Sequence, residues 1–432
     1  MSDVGAMRPG GSTTVEKMLA RAAGKDVVRA GDFVYPDPEL VIIHDGYVET
    51  AWKELHGLGY RRIRNPERVM FVTDHDVQYT SLRAAERGLA NRRIARTWRV
   101  GRFFDVGQGG HGHVFPMEAG IVRPGMMLFA YDTHCTNFGA LGALAVGLET
   151  EITAVLATGT VLTEVPRTIR VVLAGVLRSG VHARDVSFRL AHELSSGQRG
   201  VEYEGRVLEF AGAHIDSMPL AARVGMCNTL TEIGVANLLF PAIDLAGRRV
   251  LPELASDADA QFENTLRFDL SALVPQVALP GAPDNAVDVD AAAGERIDYA
   301  YIGSCGSSMY DDFAAAARIL RGQRIASGVR MMIVPGSPGI AQRLVADGLM
   351  QVFTDAGAMI LPPGCGPCAG GRSALMAPGE VAITTAATNN AGRMGAPSSR
   401  AYLGSPLTVA AAALTGRITD PREVLTEGVA HV

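Results

Sequence analysis

"PPGCGPCAGG", Pro362 to Gly371, sets Cys365 and Cys368 two residues apart in a loop of proline and glycine. A CxxC pair serves several chemistries: half of a zinc site, a redox dithiol, part of an iron–sulfur site, or two idle thiols. The partners of the pair must discriminate. Cys305, in "YIGSCGSS", lies sixty residues upstream and again sits in a turn beside glycine. Together the three thiols are one ligand short of a closed zinc or iron–sulfur site. The other two cysteines differ. Cys135 directly follows a "DTH" turn and is a candidate active-site neighbour. Cys227, in "GMCNTLTEIG", falls at an expected helix start and equally suits a small buried hydrophobe.

Working outward, the chain alternates β-branched apolar runs with Ala-rich helical runs. "LVIIHD", "RVMFVTDHD", "GMMLFAYDTH", "IRVVLAG", "YAYIGSCG", "RMMIVPGS" and "VAITTAAT" have the composition of buried strands in an α/β protein. "FGALGALAVGLETEITAVLATG", "DDFAAAARILRG" and "GIAQRLVADGLMQVFTDAG" are expected helices, and Phe313, Ala316, Ala317 and Leu320 share one face of the second. A first helix is expected after Thr13, where Thr13 and Glu16 form a capping-box pattern. Turn-rich "VPRT" near residue 166 and "ALPGAPDNAVDVDAAAGER", 278–296, are expected breaks. They divide the chain into α/β segments 1–166, 167–296 and 297–432, the last carrying the cysteine set.

Composition narrows the function. At 432 residues the chain is long enough for two to four domains. Hydrophobic residues at 47% and charged residues at 20% make it globular rather than disordered. A formal charge of −5 argues against a dedicated nucleic-acid binder, which would carry a basic face. "MSDVGAMRPGGSTT" lacks the apolar core of a secretory signal, and no run reaches the roughly 18 apolar residues of a membrane span. The cytoplasm is the expected compartment. Thiols stay reduced there, which favours metal ligation over disulfides.

Several strands end in polar residues. Asp74 and His75 follow "RVMFVT", Asp132, Thr133 and His134 follow "GMMLFAY", and Cys305 follows "YAYIGS". Ligand sites of open α/β sheets form at these carboxyl ends. A single polar strand end is usually only the start of a loop, but three of them with a CxxC loop point to a site.

In order and spacing, "YIGSC", "IVPGSPGIAQRLVADGL" and "DAGAMILPPGCGPCAG" resemble signature segments of the aconitase superfamily, in the branch of isopropylmalate dehydratase and homoaconitase large subunits. "VTDHD", "GHGHV", "YDTHCTNFGALGALAVGLETEITAVLATGT", "MCNTLTEIGV", "TNNAGRMG" and "YLGSPLTVAAAALTGRITDP" extend the likeness over nearly the whole chain. The resemblance implies three α/β/α domains around a central cluster. It makes Cys305, Cys365 and Cys368 the ligands of a 4Fe–4S cluster whose fourth iron is open, a Lewis acid for a substrate hydroxyl and carboxylate. The implied reaction is removal and return of water on a 2-hydroxy di- or tricarboxylic acid such as a 3-substituted malate. His75, oriented by Asp74, corresponds to the acid that protonates the leaving hydroxyl. His113, Asp132 and His134 correspond to the polar wall, Thr133 to the substrate-binding hydroxyl of the Asp-Ser-His turn, and Asn228 and Glu232 to the segment near the cluster and its water. Asn389 and Arg393 correspond to a cluster-facing amide and an arginine for a substrate carboxylate.

The chain departs from that pattern in places. Gly306 and Ser307 stand where the family has Thr-Asn, Cys135 and Phe138 replace polar residues, and "TNNAGR" lacks an arginine. No Gly-Ser-Ser-Arg turn of the family's fourth domain is present, so a separate small subunit supplying that domain is the expected partner. The alternatives are an aconitase-X-like single-chain dehydratase and a non-catalytic zinc-binding structural protein. A nucleotide reading of "GQGGHG", Gly107–Gly112, lacks the helix that such a loop must open.

Overall fold

The structure is a computed structural model and describes residues 10–370 and 372–425. Gly371, the last residue of the cysteine loop quoted above, lies outside them. Three sheets carry the fold. The first is five-stranded and all parallel, ordered Arg102–Phe104, Val69–Val72, Leu40–His44, Met127–Ala130, Leu144–Gly147. The second is four-stranded and parallel, ordered Asn237–Leu239, Val207–Gly212, Thr168–Ala174, Asn264–Asp269. The third has seven strands. Val381–Thr384, Tyr299–Ile302 and Arg330–Ile333 form its parallel centre, Met359–Ile360 one edge, and Arg400–Gly404 leads to the other. That far edge is made by Gln276–Ala278, antiparallel to both of its neighbours, and Ala286–Asp288.

Every expected strand forms. Val69–Val72, Met127–Ala130 and Tyr299–Ile302 are buried throughout, as strands covered on both faces must be. The capping box closes as read: the Glu16 N–H donates to Thr13 Oγ1 and the Thr13 N–H to Glu16 Oε2. On helix Tyr310–Leu320 the faces of Phe313, Ala316, Ala317 and Leu320 are buried.

The stretch "FGALGALAVGLETEITAVLATG" differs from expectation. It folds as tight 3-10 turns over Thr133–Leu141, an edge strand at Leu144–Gly147 and a short helix, Ile152–Thr158. Gly142, at φ 72°, ends the turns in the left-handed region. The apolar residues after it then pair with Met127–Ala130. A run of Gly, Ala and Leu has no period of its own strong enough to resist that pairing. Cys227 lies inside helix Leu220–Thr231, not at its start, and is fully buried.

Strand order positions the site. In the first sheet the chain moves from Leu40–His44 to one side, then returns to lay Met127–Ala130 on the other. In the third it does the same around Tyr299–Ile302, with Val381–Thr384 added on the returning side. Each reversal opens a crevice at the carboxyl ends of the strands. Cys365 joins the two crevices, its N–H donating to the Asp74 carbonyl at 2.8 Å.

Candidate active site

The first sheet supplies a wall of imidazoles and carboxylates. His44 and Asp45 end one strand, Asp74 and His75 follow the next, and Asp132 and His134 follow a third. The loop after Arg102–Phe104 adds His111 and His113. Asp74 is completely buried and lies between two rings: its Oδ2 is 2.9 Å from His44 Nδ1 and its Oδ1 2.8 Å from His75 Nδ1. The Gly112 N–H also donates to Asp74, at 2.8 Å. Asp45 lies 3.0 Å from the same His75 Nδ1 and accepts the main-chain N–H groups of His75 and Asp76. With two carboxylates at Nδ1, the proton that His75 can give away is on Nε2.

These neighbours decide charge. Burial pushes the His75 imidazolium down, but Asp74 and Asp45 overturn that and hold it well above the usual histidine range. Burial likewise opposes the Asp74 carboxylate, and the His44 and His75 charges hold it well below its ordinary value. His44 is raised on the same balance. His134 is raised well above its range against burial, by Cys305, Asp132 and Glu232; its Nε2 is 2.6 Å from Glu232 Oε1 and its Nδ1 3.1 Å from Asp132 Oδ1. His111 and His113 are neutral. Burial drives His111 down to about 4 and His113 well below its usual value. His111 Nδ1 accepts the His113 main-chain N–H, so the ring proton is on Nε2, 3.3 Å from Cys365 Sγ. Neither ring nitrogen of His113 has a hydrogen-bond partner among the described residues.

The third sheet brings the thiols. Cys305 is 3%, Cys365 6% and Cys368 5% exposed, and all are free. Gly364 and Gly366, at φ 154° and 57°, turn the chain on either side of Cys365. The Asn228 amide donates to Cys305 Sγ at 3.0 Å, and Asn137 to the Cys305 carbonyl at 2.8 Å. Burial pushes the Cys305 and Cys365 thiols up. Cys368 is held below its usual value, because Arg393, the Ser304 hydroxyl and the Ala387 N–H outweigh burial. Arg393 Nε has no hydrogen-bond partner among the described residues.

Two groups read from the sequence are not joined to this constellation. The Asn389 amide donates to the Leu279 and Ala401 carbonyls of its own surroundings. Thr133 is exposed, with no side-chain hydrogen bond among the described residues. Other groups were not singled out from sequence: His44, Asp45, Tyr47, His111 and Asn137. The His-Asp ending of "LVIIHD" carried the same signal as "VTDHD". Tyr47, between His75 and Tyr131, is pushed up to about 12 by burial and by Asp132. No local pattern announces it.

The donor set suits a metal or cluster. Three buried thiols, two of them held protonated, can take metal with release of protons. Sets close enough to share one ion, with all ligand atoms within 4.8 Å, are His111/His113/Cys305, Asp74/His111/Cys365 and His44/Asp74/His75. The three cysteines together are not such a set among the described residues. Thiolates sharing one tetrahedral zinc at about 2.3 Å each would lie closer than that. A spread triangle of thiols, with an amide and an N–H aimed at its sulfurs, fits a multi-iron group.

The fold and the site define an α/β protein with thiols opposite a histidine–carboxylate wall, and comparison with known proteins gives the class. The model of the aconitase family (aconitate hydratase) matches residues 16–416, and the chain belongs to that family. It is a hydro-lyase, and membership implies an iron–sulfur cluster. The chain is 37% identical over 423 residues to the 3-isopropylmalate dehydratase large subunit 1 of Methanopyrus kandleri, covering 96% of this chain and 100% of the relative. It is 36% identical to the probable methanogen homoaconitase large subunit of Methanothermobacter thermautotrophicus, over 94% of this chain and 97% of that one. Among solved structures, holo aconitase X of Thermococcus kodakaraensis matches with a TM-score of 0.50 at 11% identity, covering 87% of this chain and 89% of that chain, a likeness of fold alone. No helix among the described residues is long and apolar enough to cross a membrane.

Proposed function

We propose that this chain is the large subunit of a two-subunit dehydratase that removes and returns water on a 2-hydroxy di- or tricarboxylic acid of the 3-substituted malate type. The observation that carries the reading is His75 held cationic by two buried carboxylates while Cys365 hydrogen-bonds to the main chain of the adjacent Asp74. An acid and a metal-binding thiol are thereby brought to one crevice.

Cys305, Cys365 and Cys368 would hold a 4Fe–4S cluster, which when bound supplies a Lewis-acidic open iron for the substrate hydroxyl and carboxylate. The protein supplies the rest. His75 Nε2 carries the proton for the leaving hydroxyl, and Asp74 and Asp45 keep Nδ1 protonated before and after transfer. Arg393, beside Cys368, offers a guanidinium to a substrate carboxylate. His134, bracketed by Asp132 and Glu232, can orient water at the Cys305 side. The base that takes the proton from carbon is assigned to the small subunit, since relatives of the same length are named large subunits.

The test is anaerobic purification with a candidate small subunit, iron and acid-labile sulfide counts, and a hydratase screen across substituted malates. Stoichiometric zinc with no iron after reconstitution would instead support an ion at one of the mixed histidine–cysteine sets.

A further inference from the structure

Arg184 is the second residue of helix Ala183–Ser195 and is completely buried, yet it makes no ion pair with a carboxylate among the described residues. Burial disfavours a guanidinium charge strongly unless a counter-charge offsets it. Its neutral partners are few. Nη1 donates to Ser307 Oγ at 3.3 Å, Nη2 to the Ala386 carbonyl at 2.5 Å, and Nε to nothing. Asp312 and Asp185 lie nearby but form no ion pair with it among the described residues, and burial weakens their charge by pushing them up to about 8 and about 7, while Cys305 and Cys368 also favour the guanidinium charge.

What Arg184 touches is informative. Ser307 lies two residues after Cys305. Ala386 precedes Ala387, whose N–H faces the Cys368 sulfur. One side chain from the second sheet's segment thus spans two loops at the switch point of the third sheet, directly behind two of the thiols. Gly306 makes the room. A Cβ at that position would collide with Arg184 Nη1 and with Asn228 Oδ1, an oxygen without a hydrogen-bond partner among the described residues. The space that a side chain at residue 306 would need is taken by Arg184.

We infer that Arg184 is a positioning residue for the iron–sulfur group: its charge is the counter-ion of the thiolate-bound cluster, and its two hydrogen bonds hold the Cys305 and Cys368 loops at their spacing. The inference rests on the cluster reading proposed above. A guanidinium beside the sulfurs favours the more negative, reduced state of the group, and the Asn228 amide donates to Cys305 Sγ on the same side.

The experiment uses the full chain reconstituted anaerobically with ferrous iron and sulfide, in wild type, Arg184→Met, Arg184→Lys and Gly306→Ala. Iron release to excess chelator, the midpoint potential and a thermal melt are measured for each. Arg184→Met should lose iron about tenfold faster and show a more negative potential. Arg184→Lys, which keeps the charge but cannot bridge both loops, should lose iron faster with a smaller change in potential. Gly306→Ala should displace Arg184 and move both readouts as Arg184→Met does. If Arg184→Met does not fold, the other two variants carry the test. Wild-type iron release and potential in Arg184→Lys and Gly306→Ala would overturn the inference while leaving the cluster reading intact. A wild-type chain that takes up no iron or sulfide would overturn both.

Discussion

His75 and His113 lie on the same carboxyl edge of the first sheet, and their surroundings hold them in opposite charge states. His75 has a carboxylate on each side of Nδ1 and stays protonated. Among the described residues His113 has no hydrogen-bond partner on either nitrogen; the Asp132 carboxylate oxygen is 3.8 Å away, and burial keeps the ring neutral. Burial opposes charge at both. The difference is whether a carboxylate is within hydrogen-bonding distance to repay it. An acid and a neutral, open imidazole, both in ring contact with His44, therefore arise from one residue type, the pattern by which paired titratable groups take different roles.

Variants can break that contrast, and the largest effect should come from outside it. Cys305→Ser is expected to abolish iron and sulfide binding together with turnover; a variant that keeps both removes Cys305 from the ligand set. Next, His75→Ala should retain iron and sulfide but lower turnover by about 10²- to 10⁴-fold. Turnover at the wild-type level would take the acid role from His75. Asp74→Asn should act on both sides of the comparison. It strips a counter-charge from His44 and His75, so the folded chain should lose about 3 kcal/mol in denaturant titration. Its rate should also fall off at lower pH than in wild type. The sign follows from the raised His75 value: the protonated acid is present below the folded pKa and lost as pH rises through it, and removing Asp74 lowers that pKa. An unmoved alkaline limb would mean that Asp45 alone sets it.

Smaller effects test the neutral rings. His113→Leu should lower turnover yet raise the stability of the metal-free chain by about 1 kcal/mol, because an unpaired buried polar group is removed. A lower melting temperature would make His113 a satisfied structural residue. For His111 the folded pKa is depressed to about 4, so below about 6.5 the unfolded chain takes up a proton that the folded one refuses. Stability should fall as pH drops through that window, and His111→Gln should flatten the slope there.

Much of the fold was legible because it is local. The strand runs, the Thr13–Glu16 box and the apolar face of Tyr310–Leu320 each follow from residues within a few positions of one another. The failure at 138–159 is of the same kind in reverse: Gly and Ala set no period, and pairing with Met127–Ala130 prevailed. At the site, the cysteine spacing and the Asp-His strand ends were visible. His44 and Asp45 were equally visible in kind, but nothing local says that His44 reaches Asp74, thirty residues on. Arg184 carried no signal at all, since a helix-start arginine ordinarily faces water.

Composition, strand periodicity and cysteine spacing were enough to establish an α/β chain with an incomplete thiol set, because each is a property of neighbouring residues. Charge was not. Whether a histidine is an acid or a neutral donor, and whether an arginine is a surface residue or a counter-ion, depends on distances between groups such as Asn228 and Cys305, 77 residues apart. Electrostatic energy falls with separation in space and takes no account of separation along the chain. For that reason the folded chain alone set which groups carry charge here.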